Sequence, residues 1–290
     1  MTLAQTARNW GRMVRFSHTI FALPFAFSGA ALAAAEGGIT SAQVLWIAVA
    51  MIGARNAAMG FNRLADHQLD ACNPRTADRE LPSGRLGRTA VWFFTLFLSA
   101  LFMFAAFRLN RLCGWLSPVA LSITFTYSYA KRVTWASHLI LGLSLAMAPV
   151  GGWLAVRGEF SAVAWLLGLA VLLWVAGFDV IYACQDIEFD RRAGLHSIPS
   201  RFGPRGALAA ARLLHGAALA ALAGVGALAG LHAVYWVGWT VICGLVVWQH
   251  RMVRPDDLSR VGVAFFNMNG TISVVYLLSI LAALLLPGLV

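Results

Sequence analysis

Charge is scarce in this 290-residue sequence: only 12% of the residues are charged, whereas 60% are hydrophobic. A water-soluble domain usually carries about 25% charged residues, so this chain lacks the charge to cover a soluble surface. The four cysteines, Cys72, Cys113, Cys184 and Cys243, have no paired spacing and indicate neither a disulfide framework nor a zinc site. Lysine occurs only once, at Lys131. The composition predicts an integral membrane protein built of helices.

Long apolar runs are what the sequence has in excess. They lie at roughly 16–35, 43–61, 90–107, 112–130, 138–156, 162–182, 206–229, 233–249 and 263–287. Each is near the ~20 residues that cross the hydrocarbon core of a bilayer. The first run is long enough to span and lacks a small-residue cleavage site, so we expect no cleavable signal peptide. The sequence therefore predicts an all-α bundle of nine transmembrane helices.

The basic residues predict the orientation of these spans. They concentrate in alternate loops, and the opposite loops hold only Arg108, Arg111 and Arg157. Basic loops face the cytoplasm, so we expect a cytoplasmic N-terminus, an external C-terminus and a multi-pass location in the inner (cytoplasmic) membrane. The formal charge of +10 is spread over short segments between apolar runs. This distribution argues against a nucleic-acid partner.

Two acidic strings, at 62–70 and 179–190, each follow an apolar run on the predicted cytoplasmic side. Positions four apart advance 40° around a helix, so the acids of each string share one helix face. If the two faces meet at one cavity, their carboxylates repel each other unless cations intervene. Mg²⁺ takes carboxylate oxygens and is completed by waters and substrate phosphates. The strings therefore predict a Mg²⁺ and diphosphate site, opening to the cytoplasm, with nearby Arg and Lys side chains on the phosphates.

The two strings resemble the paired signatures of the UbiA superfamily of intramembrane prenyltransferases. The first signature, N-D-x-x-D-x-x-x-D, is matched by Asn62, Asp66 and Asp70, with Arg63 in place of the second Asp. The segment 73–84 is similar to the family loop R-T-x-x-R-P-L-P-S-G. The resemblance extends over nearly the whole chain and implies a single domain, 1–290, with two related halves.

The second signature, D-x-x-x-D, is matched by Asp186 and Asp190, with Asp179 and Tyr182 upstream. The segment 194–199 resembles the G-x-x-S-x-x segment that follows it in the family, and 127–132 resembles Y-x-x-x-K-R. The resemblance implies roles in catalysis for Asp179, Tyr182 and Lys131. It implies that two Mg²⁺ ions are held by Asn62, Asp66, Asp70, Asp186 and Asp190. Contacts to substrate are expected from Arg15, Arg63, Arg75, Arg79, Lys131 and Arg132.

The implied reaction is Mg²⁺-dependent transfer of a polyprenyl group from an allylic diphosphate to an aromatic carboxylate of the 4-hydroxybenzoate type. It belongs to quinone biosynthesis, and it releases diphosphate. Arg15 matches the Arg that begins the R-x-D-K-P-I-G segment of the 4-hydroxybenzoate branch, where it could pair with the acceptor carboxylate. The rest of that segment is replaced by 18–24, which is closer to a futalosine-route menaquinone branch. The alternative acceptor is therefore 1,4-dihydroxy-6-naphthoate.

Two other classes of protein carry similar acids. A cation-coupled transporter uses Asp pairs, but near the bilayer midplane, whereas these strings sit at span ends beside Arg-rich loops. A soluble isoprenoid synthase with D-D-x-x-D strings conflicts with the nine apolar runs. We expect four histidines to serve in loops or packing: His67, His138, His196 and His215.

Overall fold

The computed structural model describes residues 3–14, 19–35, 37–263 and 267–286, and the predicted acceptor contact Arg15 lies outside them. Most of these residues are helical, with no β-strand in the described ranges. The helices are α1 Leu3–Val14, α2 Thr19–Ala34, α3 Ser41–Ala65, α4 His67–Cys72, α5 Arg88–Leu109, α6 Arg111–Ala130, α7 Ser137–Arg157, α8 Ala162–Ala183, α9 Ile187–Arg192, α10 Ile198–Leu228, α11 Ala233–Met252, α12 Val261–Val263 and α13 Asn269–Leu285.

Polar caps at several helix ends explain where the chain enters the apolar segments. Thr40 and Gln43 form a capping box at the start of α3, and Ser197 and Ser200 form another at the start of α10. Asn110 accepts from the Cys113 N–H at the start of α6. These side chains satisfy N–H groups that a helix leaves without an intrahelical partner.

Helices occupy all nine predicted spans, and α3, α5, α7, α8 and α10 are long and apolar enough to cross a membrane. The chain is thus an all-helical membrane protein, while the number of spans and the orientation of its ends stay predictions. The run predicted at 206–229 corresponds to the part of α10 after Gly203, whose φ of +69° and ψ of 177° interrupt the helix, and a short helical segment from Ile198 precedes that break.

The centre of the bundle is α8, which packs between α7 and α10, while α2 packs on α7 and α3 on α5. Glycines permit these close approaches. A Cβ on Gly152 would overlap the Ala26 carbonyl oxygen of α2, and one on Gly29 would overlap the Pro149 carbonyl of α7. Small residues allow close approach of helix backbones in membranes, where packing drives association.

We predict that Gly152→Ala destabilises the protein, because the new methyl group forces α2 and α7 apart. Overpacking of this kind costs about 1–3 kcal/mol. The neighbouring Gly151 has no atom within 4 Å of a Cβ position, so Gly151→Ala is the matched control. Thermal unfolding in one detergent should give a lower Tm for Gly152→Ala and an unchanged or higher Tm for Gly151→Ala. Equal Tm values would contradict the proposed contact.

Candidate active site

The first acidic string lies where α3 ends. The sequence predicted one continuous helical face, but α3 stops at Ala65 and α4 starts at His67, with Asp66 between them at φ −96° and ψ 7°. The spacing of four nevertheless survives. The Asp66 N–H donates to the Asn62 carbonyl at 3.0 Å, and the Asp70 N–H donates to the Asp66 carbonyl at 2.7 Å. The side chains of Asn62 and Asp66 also pair, at 2.9 Å.

The second string is bent in the same manner. Helix α8 ends at Ala183, a single 3-10 turn covers Cys184–Asp186, and α9 follows. The Asp186 and Asp190 side chains are buried, whereas Glu188 between them is exposed. Two of the three acids therefore face inwards. Both strings thus begin on long helices and finish on short ones.

The two strings face each other across one cavity of about 160 Å³. It contains every predicted metal ligand and most of the predicted catalytic and substrate contacts. Its lining includes Asn62, Asp66, Asp70, Arg75, Arg79, Lys131, Arg132, Asp179, Tyr182, Asp186 and Asp190. Arg63 does not line it: this residue is buried beside Asp70, with their charged groups 3.6 Å apart. The structure thus gives Arg63 a position behind the cavity wall, where it can orient Asp70.

Basic side chains from the loop after α4 and from the turn after α6 neutralise the acids. Arg75 forms a two-pronged contact with Asp186, at 2.8 Å from Nε and 2.5 Å from the terminal nitrogen. Arg79 lies 2.6 Å from Asp70. The longer pairs join Lys131 to Asp190 at 3.6 Å and Arg132 to Asp66 at 3.2 Å.

These pairings join elements far apart in sequence. Arg75 is also 3.0 Å from the Tyr182 hydroxyl, so the loop after α4 is fastened to α8. Asn73 donates to Asp186 at 3.3 Å from the same loop. The segment that resembles a family loop therefore acts as a bridge between the two strings.

Burial raises the pKa of the Asp66 carboxyl, and the negative charge of Asp70 raises it further, while Arg132 opposes both effects. A raised pKa means that Asp66 keeps its proton to a higher pH than an ordinary carboxyl, and positive charge nearby favours the ionised form. A proton and a bound metal ion would therefore compete for this carboxylate. Metal binding at Asp66 is expected to weaken as the pH falls through the raised pKa.

The candidate ligands suit a Mg²⁺ ion whose coordination sphere is completed by a substrate. The candidate ligands are carboxylate and amide oxygens, the hard donors that Mg²⁺ prefers. Within the described ranges, no three His, Cys, Asp or Glu side chains lie close enough to hold an ion by themselves. Because Arg75 occupies both oxygens of Asp186, it must shift for a metal to reach them.

Asp179 has a partner that the sequence analysis missed. His138 of α7 is fully buried, and its Nδ1 lies 2.6 Å from Asp179 Oδ2. The Ile198 N–H donates to His138 Nε2 at 3.3 Å. Nε2 is therefore an acceptor, so Nδ1 carries the proton and donates it to Asp179. His138 and Asp179 are 41 positions apart, and no local pattern links them.

The segment 194–198 fastens this pair to the second string. The Ser197 hydroxyl donates to Asp190 at 2.9 Å, and the His196 N–H donates to the Lys131 carbonyl at 2.7 Å. The next residue, Ile198, contacts His138. His196, Ser197 and Ile198 thus fix the relative positions of three other residues. These are Lys131, Asp190 and His138. The sequence resemblance pointed to this segment but not to these contacts.

Comparison with known proteins gives consistent results. A family model described as "UbiA prenyltransferase family" matches residues 22–271. A "4-hydroxybenzoate octaprenyltransferase" of Tolumonas auensis is 32% identical over 82% of this chain and 84% of its own length. One from Azoarcus sp. is 30% identical over 93% of this chain and 94% of its own length.

Solved structures agree. The apo structure of a UbiA homolog from Aeropyrum pernix K1 is 38% identical, has a TM-score of 0.83, and covers 91% of this chain and 97% of its own. A UbiA homolog from Archaeoglobus fulgidus, bound to GPP and Mg²⁺, has a TM-score of 0.72 and covers 95% of this chain and 99% of its own. Its identity of 19% shows a shared fold alone.

Proposed function

Because this chain belongs to the UbiA prenyltransferase family, we propose that it transfers a polyprenyl group from an allylic diphosphate to an aromatic carboxylate of the 4-hydroxybenzoate type. The reaction requires Mg²⁺ and releases diphosphate. The observation that carries this proposal is the convergence of both acidic strings and four basic side chains on one cavity. The names of the relatives support the acceptor class, and the basic loops support a cavity that opens to the cytoplasm.

In the first half of the reaction, the carbon–oxygen bond of the donor breaks, and the electron pair leaves with the diphosphate. Mg²⁺, when bound, stabilises the negative charge that builds on the departing oxygens. The residues that would hold it are Asn62, Asp66, Asp70, Asp186 and Asp190. Since the charge of the diphosphate grows during departure, contacts to it favour the transition state over the ground state.

The basic side chains hold the diphosphate itself. Arg75 and Arg79 present planar forks that match phosphate oxygens as well as they match carboxylates. Each pairs with an acid of a different string, so both could exchange that acid for the diphosphate if a bound Mg²⁺ took their place at the carboxylates. Lys131 and Arg132 supply further charge from the end of α6. We place Arg63 behind them as a positioning residue for Asp70.

In the second half, a ring carbon of the acceptor attacks the allylic cation and then loses its proton. We propose that Asp179 accepts this proton or orients the phenol that activates the ring. The Tyr182 ring stands one helical turn further along the same cavity. An aromatic face can stabilise a carbocation through its quadrupole. A cavity within an apolar bundle also protects that cation from water.

His138 is proposed as a positioning residue for Asp179. Its Nδ1–H fixes one carboxylate oxygen and leaves the other to face the substrate. The backbone N–H of Ile198 fixes the tautomer in turn. A cation-coupled transporter is not proposed, because the family is one of transferases.

An acceptor panel tests the proposed function. The purified protein receives Mg²⁺, geranyl diphosphate and either 4-hydroxybenzoate or 1,4-dihydroxy-6-naphthoate, and products are identified by mass. We expect prenylated 4-hydroxybenzoate, and turnover should fall to background in excess EDTA and recover with added Mg²⁺. A prenylated naphthoate alone would assign the chain to the menaquinone branch that the 18–24 segment resembles. Full turnover in EDTA would contradict the role of the acidic strings.

A further inference from the structure

A second cavity, of about 250 Å³, lies on the other side of the end of α3. Its walls come from the ends of α3 and α6 and the starts of α4 and α5, at the end of the bundle that carries both acidic strings. The residues that give it its chemistry are Phe61, His67, Arg88, Trp92, Tyr129 and Arg132. The two cavities share Arg132 alone, and the proposed reaction does not use the second one.

This cavity is positively charged and has no acid in its lining. Arg88 is exposed, and no carboxylate of the described residues lies within ion-pair distance of it. The Nδ1 atom of His67 is buried and, across the described ranges, has no hydrogen-bond partner. Helix α5 begins beside them, and its N-cap residue Gly87 supplies no side-chain cap. The positive end of the helix dipole therefore adds to the attraction for an anion.

Aromatic and apolar side chains continue from the basic groups towards the middle of α5. The Phe61 ring stacks on Phe125 at 4.2 Å and meets Trp92 edge-on at 6.1 Å. Four residues further along α5, Leu96 is 58% exposed. Arg88, Trp92 and Leu96 thus form a continuous surface, since positions four apart share a helix face. Along this surface the charged Arg88 is followed by the amphipathic Trp92 ring and then by the apolar Leu96 side chain.

We propose that this second cavity binds the phosphate of an anionic glycerophospholipid. Arg88 contacts the phosphate, Trp92 and Tyr129 lie at the glycerol level, and an acyl chain follows the exposed side chains of α5. Tryptophan and tyrosine are enriched at this depth of a membrane, and arginine beside a bilayer attracts anionic headgroups. A free phosphate ion satisfies the same charges, but it leaves the aromatic wall and the exposed side chains of α5 uncovered.

Native mass spectrometry of the detergent-purified protein measures this binding without any dependence on prenyl transfer. Phosphatidylglycerol and phosphatidylcholine with identical chains are titrated separately, and inorganic phosphate is added as a competitor. We expect at least about tenfold tighter binding of phosphatidylglycerol, and about a fivefold loss in Arg88→Gln. Arg88 is chosen because Arg132 also lines the first cavity.

Arg251→Gln is the matched control, because Arg251 is an exposed arginine at the end of α11, outside this cavity. Its lipid affinity should equal that of the unmodified protein. Equal binding of the two lipids, or equal losses in both variants, would overturn the proposal. Displacement of phosphatidylglycerol by low millimolar phosphate would assign the site to a free anion instead.

Discussion

Asp186→Ala and Asp66→Ala are each expected to lower prenyl transfer by roughly 10³-fold or more, the scale of losing a preorganised electrostatic contact to the transition state. Each change removes a carboxylate from the wall of the cavity that we propose binds the donor diphosphate. Asp186→Ala also releases Arg75, which holds this acid through two hydrogen bonds. The measurement is single-turnover product formation with geranyl diphosphate and saturating Mg²⁺. Thermal unfolding of each variant checks that the protein is still folded.

Glu188→Ala is the matched control for this experiment. Glu188 belongs to the same string, but its side chain is 85% exposed and pairs with Arg192 on the solvent side. We expect turnover within about twofold of the unmodified protein, since exposed pairs contribute little. Mn²⁺ binding in the presence of diphosphate, followed by electron paramagnetic resonance, gives a second measure. Full activity in a folded Asp186→Ala protein would disprove the metal-site hypothesis.

Asp179→Asn is expected to reduce turnover by about 10²–10⁴-fold, the contribution of a positioned acid or base. An amide cannot accept the proton that leaves the acceptor ring. His138→Leu should reduce turnover by about 10²-fold, since a small misplacement of a reacting group has that effect. Both changes should lower kcat and leave the Kd of a non-reactive thiodiphosphate donor analogue unchanged. That split separates a role in acceptor chemistry from a loss of donor binding.

His196→Asn serves as the control for His138. Its imidazole is exposed, and its contact to Lys131 is made by the backbone N–H, which the substitution retains. We expect activity near that of the unmodified protein. If His138→Leu weakened donor binding as strongly as it lowered kcat, the positioning role would be replaced by a structural one. An unchanged kcat in Asp179→Asn would remove that residue from the reaction.

The sequence was sufficient for the helical membrane fold because both signals are local. Apolar runs of spanning length and scarce charge leave the helix as the structure that satisfies the backbone in lipid. The spacing of four in each acidic string predicted that Asp66 lies on the same face as Asp70, and Asp186 on the same face as Asp190. All four line one cavity. The spacing also predicted unbroken helices, and the structure instead bends the chain after Ala65 and after Ala183.

Which partners the acids take was decided only by tertiary structure. Arg75 reaches Asp186 across 111 positions, and His138 reaches Asp179 across 41. Periodicity reports which residues share a helix face, but it carries no information about which faces meet. Arg63 shows the same limit, since its neighbours in sequence suggested a substrate contact and packing buried it beside Asp70. The sequence by itself determined a membrane bundle with two acidic strings, because composition and spacing are properties of single segments. The folded bundle determined the shared cavity, its ion pairs and the histidine behind Asp179, because these arise where distant segments pack together.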